Sequence, residues 1–179
     1  VKDYYNIDNE FGDWKDIINI SKSFRVMADV VINHGSSEGV WFKNFIKGEG
    51  RGHDYFLSFD NTFDITEVVR PRTSPLLNTF DTHDGTRYLW CTFSKDQVDY
   101  NFNNPKVINE FVEIILYYLK MGITIFRFDA VAFLWKRIGT SCMNLEKTHE
   151  IIRLFRTIID YLSPYTVLVT ETNTPAAEN

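Results

Sequence analysis

Ionisable residues follow three apolar, β-rich stretches of the sequence, at the points where these stretches end. They are His34, the pair Arg127 and Asp129, and Glu171. In a parallel α/β fold the carboxyl ends of the strands lie at one edge of the sheet, where catalytic groups gather. Side chains alternate between the two faces of a strand, so Arg127 and Asp129 point the same way. We therefore expect these side chains to meet in one site.

Two carboxylates on neighbouring strand ends suit the cleavage of a glycosidic bond. One attacks the anomeric carbon while the other protonates the leaving oxygen, and retention of configuration places them about 5 Å apart. An arginine two residues before the attacking carboxylate keeps it ionised, and a partly desolvated second carboxylate retains a proton to donate. Taken singly, each residue also suits a structural polar role. Ionisable residues at three successive strand ends, all in register, favour a catalytic role.

Helices and strands alternate along most of the chain. The pattern predicts helices near 13–22, 105–120 and 147–162, and strands at 24–33, 123–130 and 167–172, which indicates parallel α/β architecture with right-handed crossovers. The apolar residues of the strands, such as Ile125 and Val169, would fill an interior beneath the charged groups. Asp29 lies deep in an apolar strand and must find a hydrogen-bond partner there, so we interpret it as structural.

The interval from His34 to Asp129 is more than twice the interval from Asp129 to Glu171. The shorter interval is that of one ordinary βα repeat, so the surplus indicates an inserted lobe. Turn-forming residues punctuate short aromatic stretches in that region, and we expect an irregular segment without a long helix. The predicted organisation is a main domain made of 1–34 and 100–179, with an insert at 35–99.

The composition limits the possible partners. The chain has 179 residues and a net charge of −5 with dispersed Lys and Arg, which predicts no nucleic-acid or membrane binding. No apolar run is long enough for a membrane span and no signal peptide is visible. Two cysteines, Cys91 and Cys142, are too few for a disulfide framework, so we expect free thiols and a cytoplasmic location. The oligomeric state is not indicated.

The strand-end motifs resemble three sequence regions of the α-amylase family, glycoside hydrolase family 13. They are Asp29-Val30-Val31-Ile32-Asn33-His34, Phe126-Arg127-Phe128-Asp129-Ala130 and Thr170-Glu171-Thr172-Asn173. The resemblance implies a partial (β/α)8 TIM barrel, about strands 3 to 5, with a domain B insert after the third strand. It also implies that Asp129 is the nucleophile and Glu171 the general acid/base. Arg127 and His34 would contact the first sugar subsite, and Asp29 would be structural.

Other segments are similar to the sucrose phosphorylase branch of that family, which includes phosphorylases of sucrose, sucrose 6'-phosphate and glucosylglycerate. They are residues 69–77, 92–99 and 139–142. The branch resemblance implies a retaining α-glucosyl phosphorylase that acts on an α-glucoside and inorganic phosphate, forms α-glucose 1-phosphate and needs no cofactor. Phe93 would be an aromatic wall of the sugar site, although a core role suits it equally well.

Two departures from the family pattern refine the expectation. Calcium-binding amylases carry a histidine soon after the nucleophile motif, where this chain has Val131 to Lys136, so we expect no metal there. Phe133 stands where plain sucrose phosphorylases have Tyr, which favours phosphorylated or acidic acceptors. Arg70 and Arg72 are candidates to bind such an anion or phosphate, because a guanidinium suits both. Solvated loop arginines are the alternative.

Other functions remain open at this point. The nearest alternative is a hydrolase or transglucosidase of the same family. A metal-dependent barrel hydrolase using His34, His53 and Asp129, or a non-catalytic sugar-binding protein, would be of another class. The barrel needs eight strands and about 250 residues, and the family's third carboxylate has no counterpart here. We therefore expect this stretch to be a fragment that is inactive alone, and release of glucose 1-phosphate by it would contradict that.

Overall fold

The computed structural model describes residues 1–171. Residues 172–179, which include Thr172 and Asn173 of the third motif and the end of the predicted strand 167–172, lie outside the described residues. The helices and strands, in chain order, are α1 (Trp14–Ser21), β1 (Val26–Val31), β2 (His34–Ser36), α2 (Val40–Lys47), β3 (Ser58–Phe59), β4 (Leu77–Thr82), β5 (Gly85–Trp90), β6 (Gln97–Asp99), α3 (Pro105–Lys120), β7 (Ile123–Asp129), a short 3-10 helix (Val131–Phe133), α4 (Glu146–Leu162) and β8 (Val167–Thr170).

A three-stranded parallel sheet supports the strand ends. Its order is β1-β7-β8, and the connections between neighbouring strands contain α3 and α4, which confirms the predicted parallel α/β architecture. The register pairs Asp29 with Arg127 and Val31 with Asp129. The charged residues of β1 and β7 therefore lie side by side on one sheet.

Local sequence signals explain the two long helices. Asn104 caps α3 by accepting a hydrogen bond from the backbone of Lys106, and Pro105 occupies the first helical position, where no backbone donor is needed. Both helices have one apolar face, which packs on one face of the parallel sheet. There the ring of Phe128 meets that of Phe155 edge to face at 5.8 Å. This side of the sheet is the main core.

The opposite face of the parallel sheet is open within residues 1–171. Met27 is 55% exposed, Val167 is 39% exposed, and Val169 is 44% exposed. The side chain of Asp29 is 55% exposed on the same face. The expectation that Asp29 is deeply buried was therefore wrong for this chain, because no described element covers its side of the sheet.

The segment between β1 and α3 is more ordered than the sequence suggested. Strands β3, β5 and β4 form an antiparallel sheet, and α2 spans only two turns. His83 and Asp84 form the turn between β4 and β5, and Gly85, which begins β5, has φ of 114°, a conformation that favours glycine. Strands β2 and β6 pair antiparallel at the base, His34 opposite Asp99, so the two ends of the 35–99 segment lie side by side.

One other expectation was wrong. Strand β1 ends at Val31 instead of continuing to Asn33, so His34 lies in the separate strand β2. In α1, Ile17 packs against the core, whereas Ile18 and Ile20 are exposed. None of the helices within residues 1–171 has the length and apolar character that crossing a bilayer requires.

Candidate active site

The guanidinium of Arg127 gathers three carboxylates from three adjacent strand ends. One terminal nitrogen lies 3.0 Å from Oδ2 of Asp29. The other lies 3.3 Å from Oε2 of Glu171 and 3.9 Å from Oδ1 of Asp129. This arrangement follows from the parallel register, which aligns β1, β7 and β8 at their carboxyl ends. Arg127, Asp129 and Glu171 therefore meet at one edge of the sheet, together with Asp29.

The carboxyl groups of Asp129 and Glu171 both lie against Arg127, and each one shifts the pKa of the other. Burial, reinforced by contact with Glu171, raises the pKa of Asp129 to about 6. The hydrogen bond from Asp129 lowers the pKa of Glu171, and Arg127 lowers it further. Two carboxyls this close share one proton, because two negative charges in contact are unfavourable. The pair therefore contains one acid and one base below about pH 6 and loses the shared proton above it.

The distribution of that proton differs from the sequence-based expectation. Arg127 was expected to keep Asp129 ionised, whereas here the proton favours Asp129 and Glu171 carries the charge. The reason is geometric. The guanidinium lies nearer to Asp29 and Glu171 than to Asp129, and Asp129 is the more buried carboxyl of the pair.

The turn after β7 connects the two carboxylates. The backbone N–H of Glu171 donates to the carbonyl of Phe128 at 2.9 Å, which extends the β7–β8 pairing to the last described residue. Ala130 adopts a left-handed conformation, with φ of 57° and ψ of 29°, and its N–H donates to the Glu171 carboxylate. A non-glycine residue in this region is strained. The strain lowers the stability of the turn, but the conformation directs the N–H of Ala130 toward Glu171.

Replacing Ala130 by Gly in the enzyme that carries this chain is expected to raise the free energy of unfolding by about 0.5–1 kcal/mol, because Gly adopts positive φ without strain. Chemical denaturation measures this. The matched control is Ala132→Gly in the right-handed 3-10 helix. This control is expected to lower the free energy of unfolding by about 0.5–1 kcal/mol. Equal losses in both variants would show that Ala130 is not strained.

Both carboxylates open into a cleft of about 410 Å³ between the parallel sheet and the insert. The cleft is lined by His34, Val69, Pro71, Arg72, Phe93, Gln97, Asp129, Ala130, Ala132, Phe133, Met143 and Glu171. Its size is within the range of small-molecule sites. Of the predicted residues, His34, Phe93 and Arg72 therefore line the same cleft as the carboxyl pair.

His34 and two phenylalanines form one wall of the cleft. The His34 ring lies 5.1 Å from that of Phe93, which packs edge to face on Phe133 at 5.5 Å. His34 is only 4% exposed, and burial lowers its pKa to about 4. The imidazole is therefore neutral at physiological pH. An apolar wall with one neutral polar group suits a sugar ring, whose faces are apolar and whose edge bears hydroxyls.

The two candidate anion-binding arginines have different surroundings. Arg72 is exposed and lines the cleft. Arg70 lies in an adjoining surface depression with Pro71 and Thr73, and its guanidinium donates to the backbone carbonyl of Ser74. Arg72, but not Arg70, therefore lines the cleft that also holds the carboxyl pair.

Sequence reasoning missed several residues of the cleft and its support. Gln97 and Met143 line the cleft, and the Gln97 amide nitrogen lies 2.9 Å from Nε2 of His34. Behind His34, Asn33, Asp99 and Lys136 form a buried polar cluster. Gln97 and Asp99 lie in residues 92–99, one of the segments similar to the sucrose phosphorylase branch, and this similarity was the sequence signal that could have identified them.

Across residues 1–171, no group of three or more His, Cys, Asp or Glu is arranged to hold a metal ion.

Comparisons with known proteins agree with this geometry. The family model described as the α-amylase catalytic domain matches residues 1–179. The chain is 45% identical to the glucosylglycerate phosphorylase of Escherichia coli and 42% identical to that of Spirochaeta thermophila. It aligns over its whole length but covers only 32% and 30% of those proteins.

A solved structure shows the same fold. The crystal structure of sucrose 6F-phosphate phosphorylase from Thermoanaerobacter thermosaccharolyticum matches with a TM-score of 0.85 at 27% identity, over 97% of this chain and 38% of that one. The chain therefore spans about a third of the length of the relatives it matches. A match along the entire chain, with glucoside phosphorylases among the relatives, shows that this chain belongs to the α-amylase family.

Proposed function

We propose that this chain is the central part of a retaining α-glucosyl phosphorylase, with Asp129 as nucleophile and Glu171 as general acid/base. The observation that carries the proposal is the convergence of these two carboxylates on Arg127 at the edge of a cleft of sugar-binding size. The chain then supplies about strands 3 to 5 of a (β/α)8 barrel and the domain B insert. In the complete enzyme the remaining strands cover the open sheet face around Met27 and Val169.

The reaction proceeds by double displacement. Glu171 protonates the glycosidic oxygen while Asp129 attacks the anomeric carbon, so the acceptor leaves with that proton and a β-glucosyl-enzyme forms. Phosphate then attacks the same carbon, Asp129 leaves as the carboxylate, and the proton of the phosphate returns to Glu171. Two inversions give α-glucose 1-phosphate with net retention.

Substrate binding shifts the shared proton to the group that needs it. A glycosidic oxygen beside Glu171 replaces Asp129 as hydrogen-bond partner and accepts from the protonated acid. The anomeric carbon gains positive charge as its bond breaks, which favours an ionised carboxylate at Asp129. Arg127 lies near both carboxyls and compensates negative charge on either one. The ground-state preference for a proton on Asp129 is therefore compatible with the assigned roles.

We assign glucosylglycerate as the donor and glycerate as the released acceptor. Identity is 42–45% to three glucosylglycerate phosphorylases, against 31% to a sucrose 6(F)-phosphate phosphorylase. Arg72 supports an anionic acceptor, because its exposed guanidinium lines the cleft that holds the carboxyl pair. Arg70 is bonded to the loop backbone and serves to hold that loop.

Incubation of the full-length enzyme with glucosylglycerate, with and without phosphate, tests the proposal. The expected products with phosphate are equal amounts of α-glucose 1-phosphate and glycerate, with little free glucose. Free glucose as the main product in both incubations would instead establish a hydrolase of the family. New glucosides formed without phosphate would establish a transglucosidase.

The pH dependence of kcat/KM for the donor follows from the shared proton. Catalysis requires one proton on the pair, and the pKa of Asp129 is raised to about 6 by burial and by Glu171. The pair loses this proton as the pH rises, so kcat/KM is expected to fall tenfold per pH unit above about pH 6. Because kcat/KM for the donor includes only steps up to the glucosyl-enzyme, titration of phosphate does not enter. A constant value up to about pH 8 would contradict the shared proton.

Replacing Arg72 by Ala is expected to raise the KM for phosphate, and for glycerate in the reverse reaction, by about tenfold, the effect of losing about 1.4 kcal/mol of charge-assisted hydrogen bonding. Initial rates at varied phosphate and glycerate measure this. The control is Arg87→Ala in the same lobe, where Arg87 pairs with Asp60 and Asp84. Unchanged KM values in the Arg72 variant would remove Arg72 from the acceptor site.

A further inference from the structure

A cluster of buried polar side chains lies behind His34. The ammonium of Lys136 is 2.6 Å from Oδ2 of Asp99 and 2.7 Å from Oδ1 of Asn33. The Asp99 carboxylate also accepts from Thr92, from its backbone N–H at 3.0 Å and its hydroxyl at 2.6 Å. Asn33 and Asp99 are fully buried, and Lys136 is 9% exposed. The cluster joins the segment after β1, strand β6 and the loop after β7.

Stability alone gives little reason for this ion pair. Burying an ammonium and a carboxylate costs desolvation free energy, and well-packed apolar replacements are often as stable. Burial indeed lowers the pKa of Lys136, and contact with Asp99 offsets part of that shift. The ammonium instead determines how its polar neighbours are oriented, because it donates hydrogen bonds and accepts none.

The ammonium of Lys136 and the carboxylate of Asp99 together fix the orientation of the Asn33 side chain. Since Lys136 only donates, the group that faces it must be the amide oxygen of Asn33. The amide nitrogen then points the other way, where it lies 2.9 Å from Oδ2 of Asp99 and 3.4 Å from Nδ1 of His34. An N–H donor is thereby directed at one specific nitrogen of the imidazole.

A neutral imidazole has one N–H donor and one acceptor nitrogen. Since Nδ1 of His34 faces the N–H of Asn33, Nδ1 is the acceptor and the proton resides on Nε2. Nε2 is also the nitrogen beside Gln97, which lines the cleft. A Gln97 amide turned to accept from Nε2 completes the chain, with its nitrogen then facing the Ser94 hydroxyl, which lies 2.9 Å from the present Oε1.

We propose that Lys136 is a positioning residue for sugar recognition: through Asn33 it holds His34 as the Nε2–H tautomer, which presents a neutral hydrogen-bond donor at the cleft. The tautomer assignment stands on the hydrogen-bond geometry, whereas its role in binding the glucosyl group rests on the proposed function. Without a sugar this N–H donates to Gln97, and a bound sugar hydroxyl oxygen replaces Gln97 as its acceptor. The hydrogen bond is made equally in the ground state and the transition state, so it contributes to KM more than to kcat.

Nitrogen-15 NMR of the histidine-labelled full-length enzyme at about pH 7 tests the tautomer directly. The His34 signals are assigned by their disappearance in a His34→Asn variant. We expect a protonated Nε2 and an unprotonated Nδ1. A protonated Nδ1, or an imidazolium, would overturn the proposal without the need for any Lys136 variant.

Lys136→Met tests the relay, because Met retains the unbranched chain and loses the donor. We expect the Nε2–H preference of His34 to disappear and the KM for the donor glucoside to rise at least tenfold, with kcat changed less than threefold. The matched control is Arg51→Met, which removes a different ion pair to a buried carboxylate, Arg51–Glu110, away from the cleft. This control is expected to lower stability and leave KM and the His34 tautomer unchanged.

The outcomes separate this inference from the proposed function. If the Nε2–H signal of His34 is present and lost in Lys136→Met, the relay holds whichever reaction the enzyme catalyses. If the signal and KM are the same in both proteins, the relay fails while the roles of Asp129 and Glu171 are untouched. A Lys136→Met protein that does not fold is replaced by Lys136→Ala with added ethylammonium, where recovery of the Nε2–H signal with the amine supports the relay and its absence contradicts it.

Discussion

Replacing Asp129 by Asn in the full-length enzyme is expected to lower the rate of glucose 1-phosphate formation by at least about 10⁴-fold, because no carboxylate remains to form the glucosyl-enzyme. The amide has nearly the shape of the carboxylate, so the cleft and the contacts of Arg127 stay in place. Initial rates of phosphorolysis measure the loss. Turnover within tenfold of the unmodified enzyme would mean that Asp129 is not the nucleophile.

The same variant provides an internal control for folding. The folded state raises the pKa of Asp129 from 3.8 to about 6, so above about pH 6 it holds an ionised carboxylate at a cost that the unfolded chain does not have. The uncharged amide of the variant removes this cost. Thermal unfolding should therefore show a higher midpoint for Asp129→Asn at about pH 7, and the gain should shrink as the pH falls toward 4. The control is Asp160→Asn, at an exposed ion pair on a helix. It should change neither the rate of phosphorolysis nor the midpoint of thermal unfolding.

Replacing Glu171 by Gln is expected to lower phosphorolysis of the natural donor by about 10²–10⁴-fold, because the leaving oxygen no longer receives a proton. With α-glucosyl fluoride the leaving group needs no protonation, so formation of the glucosyl-enzyme should be affected less than tenfold. Single-turnover rates with both donors measure the contrast. Matching losses with the two donors would show that Glu171 does not act as the general acid.

The control for this variant is Glu150→Gln on the exposed face of α4, where Glu150 pairs with Lys147. It removes one carboxylate of the same type outside the cleft, so both donors should react at the unmodified rates. A loss there would indicate a general effect of charge on the enzyme instead of a lost proton donor.

Sequence patterns predicted the elements that depend on local signals. The helix α3 begins after Asn104 and at Pro105 as expected, because the cap and the first-turn proline are local features. The alternation of apolar strands and helices predicted the parallel sheet, and the equal phase of Arg127 and Asp129 placed both on one face. These predictions needed only periodicity and the geometry of a strand.

Features that depend on long-range contacts were not predictable. The Lys136 ammonium meets Asn33 and Asp99 from distant parts of the sequence, and nothing near Lys136 indicates its burial. The proton of the carboxyl pair depends on which carboxylates Arg127 approaches most closely, which is set by the register of three strands. The exposure of Asp29 depends on what covers the sheet, and the sequence pattern of an apolar strand is the same with either face open.

Trapping the glucosyl-enzyme would identify the nucleophile directly. A 5-fluoro-α-glucosyl fluoride slows release of the sugar, and mass spectrometry of a proteolytic digest locates the bound sugar. We expect one labelled peptide, with the sugar on Asp129, and no label in Asp129→Asn. A label on Glu171 or Asp29, or turnover of the reagent to a β-configured product without any labelled peptide, would contradict it.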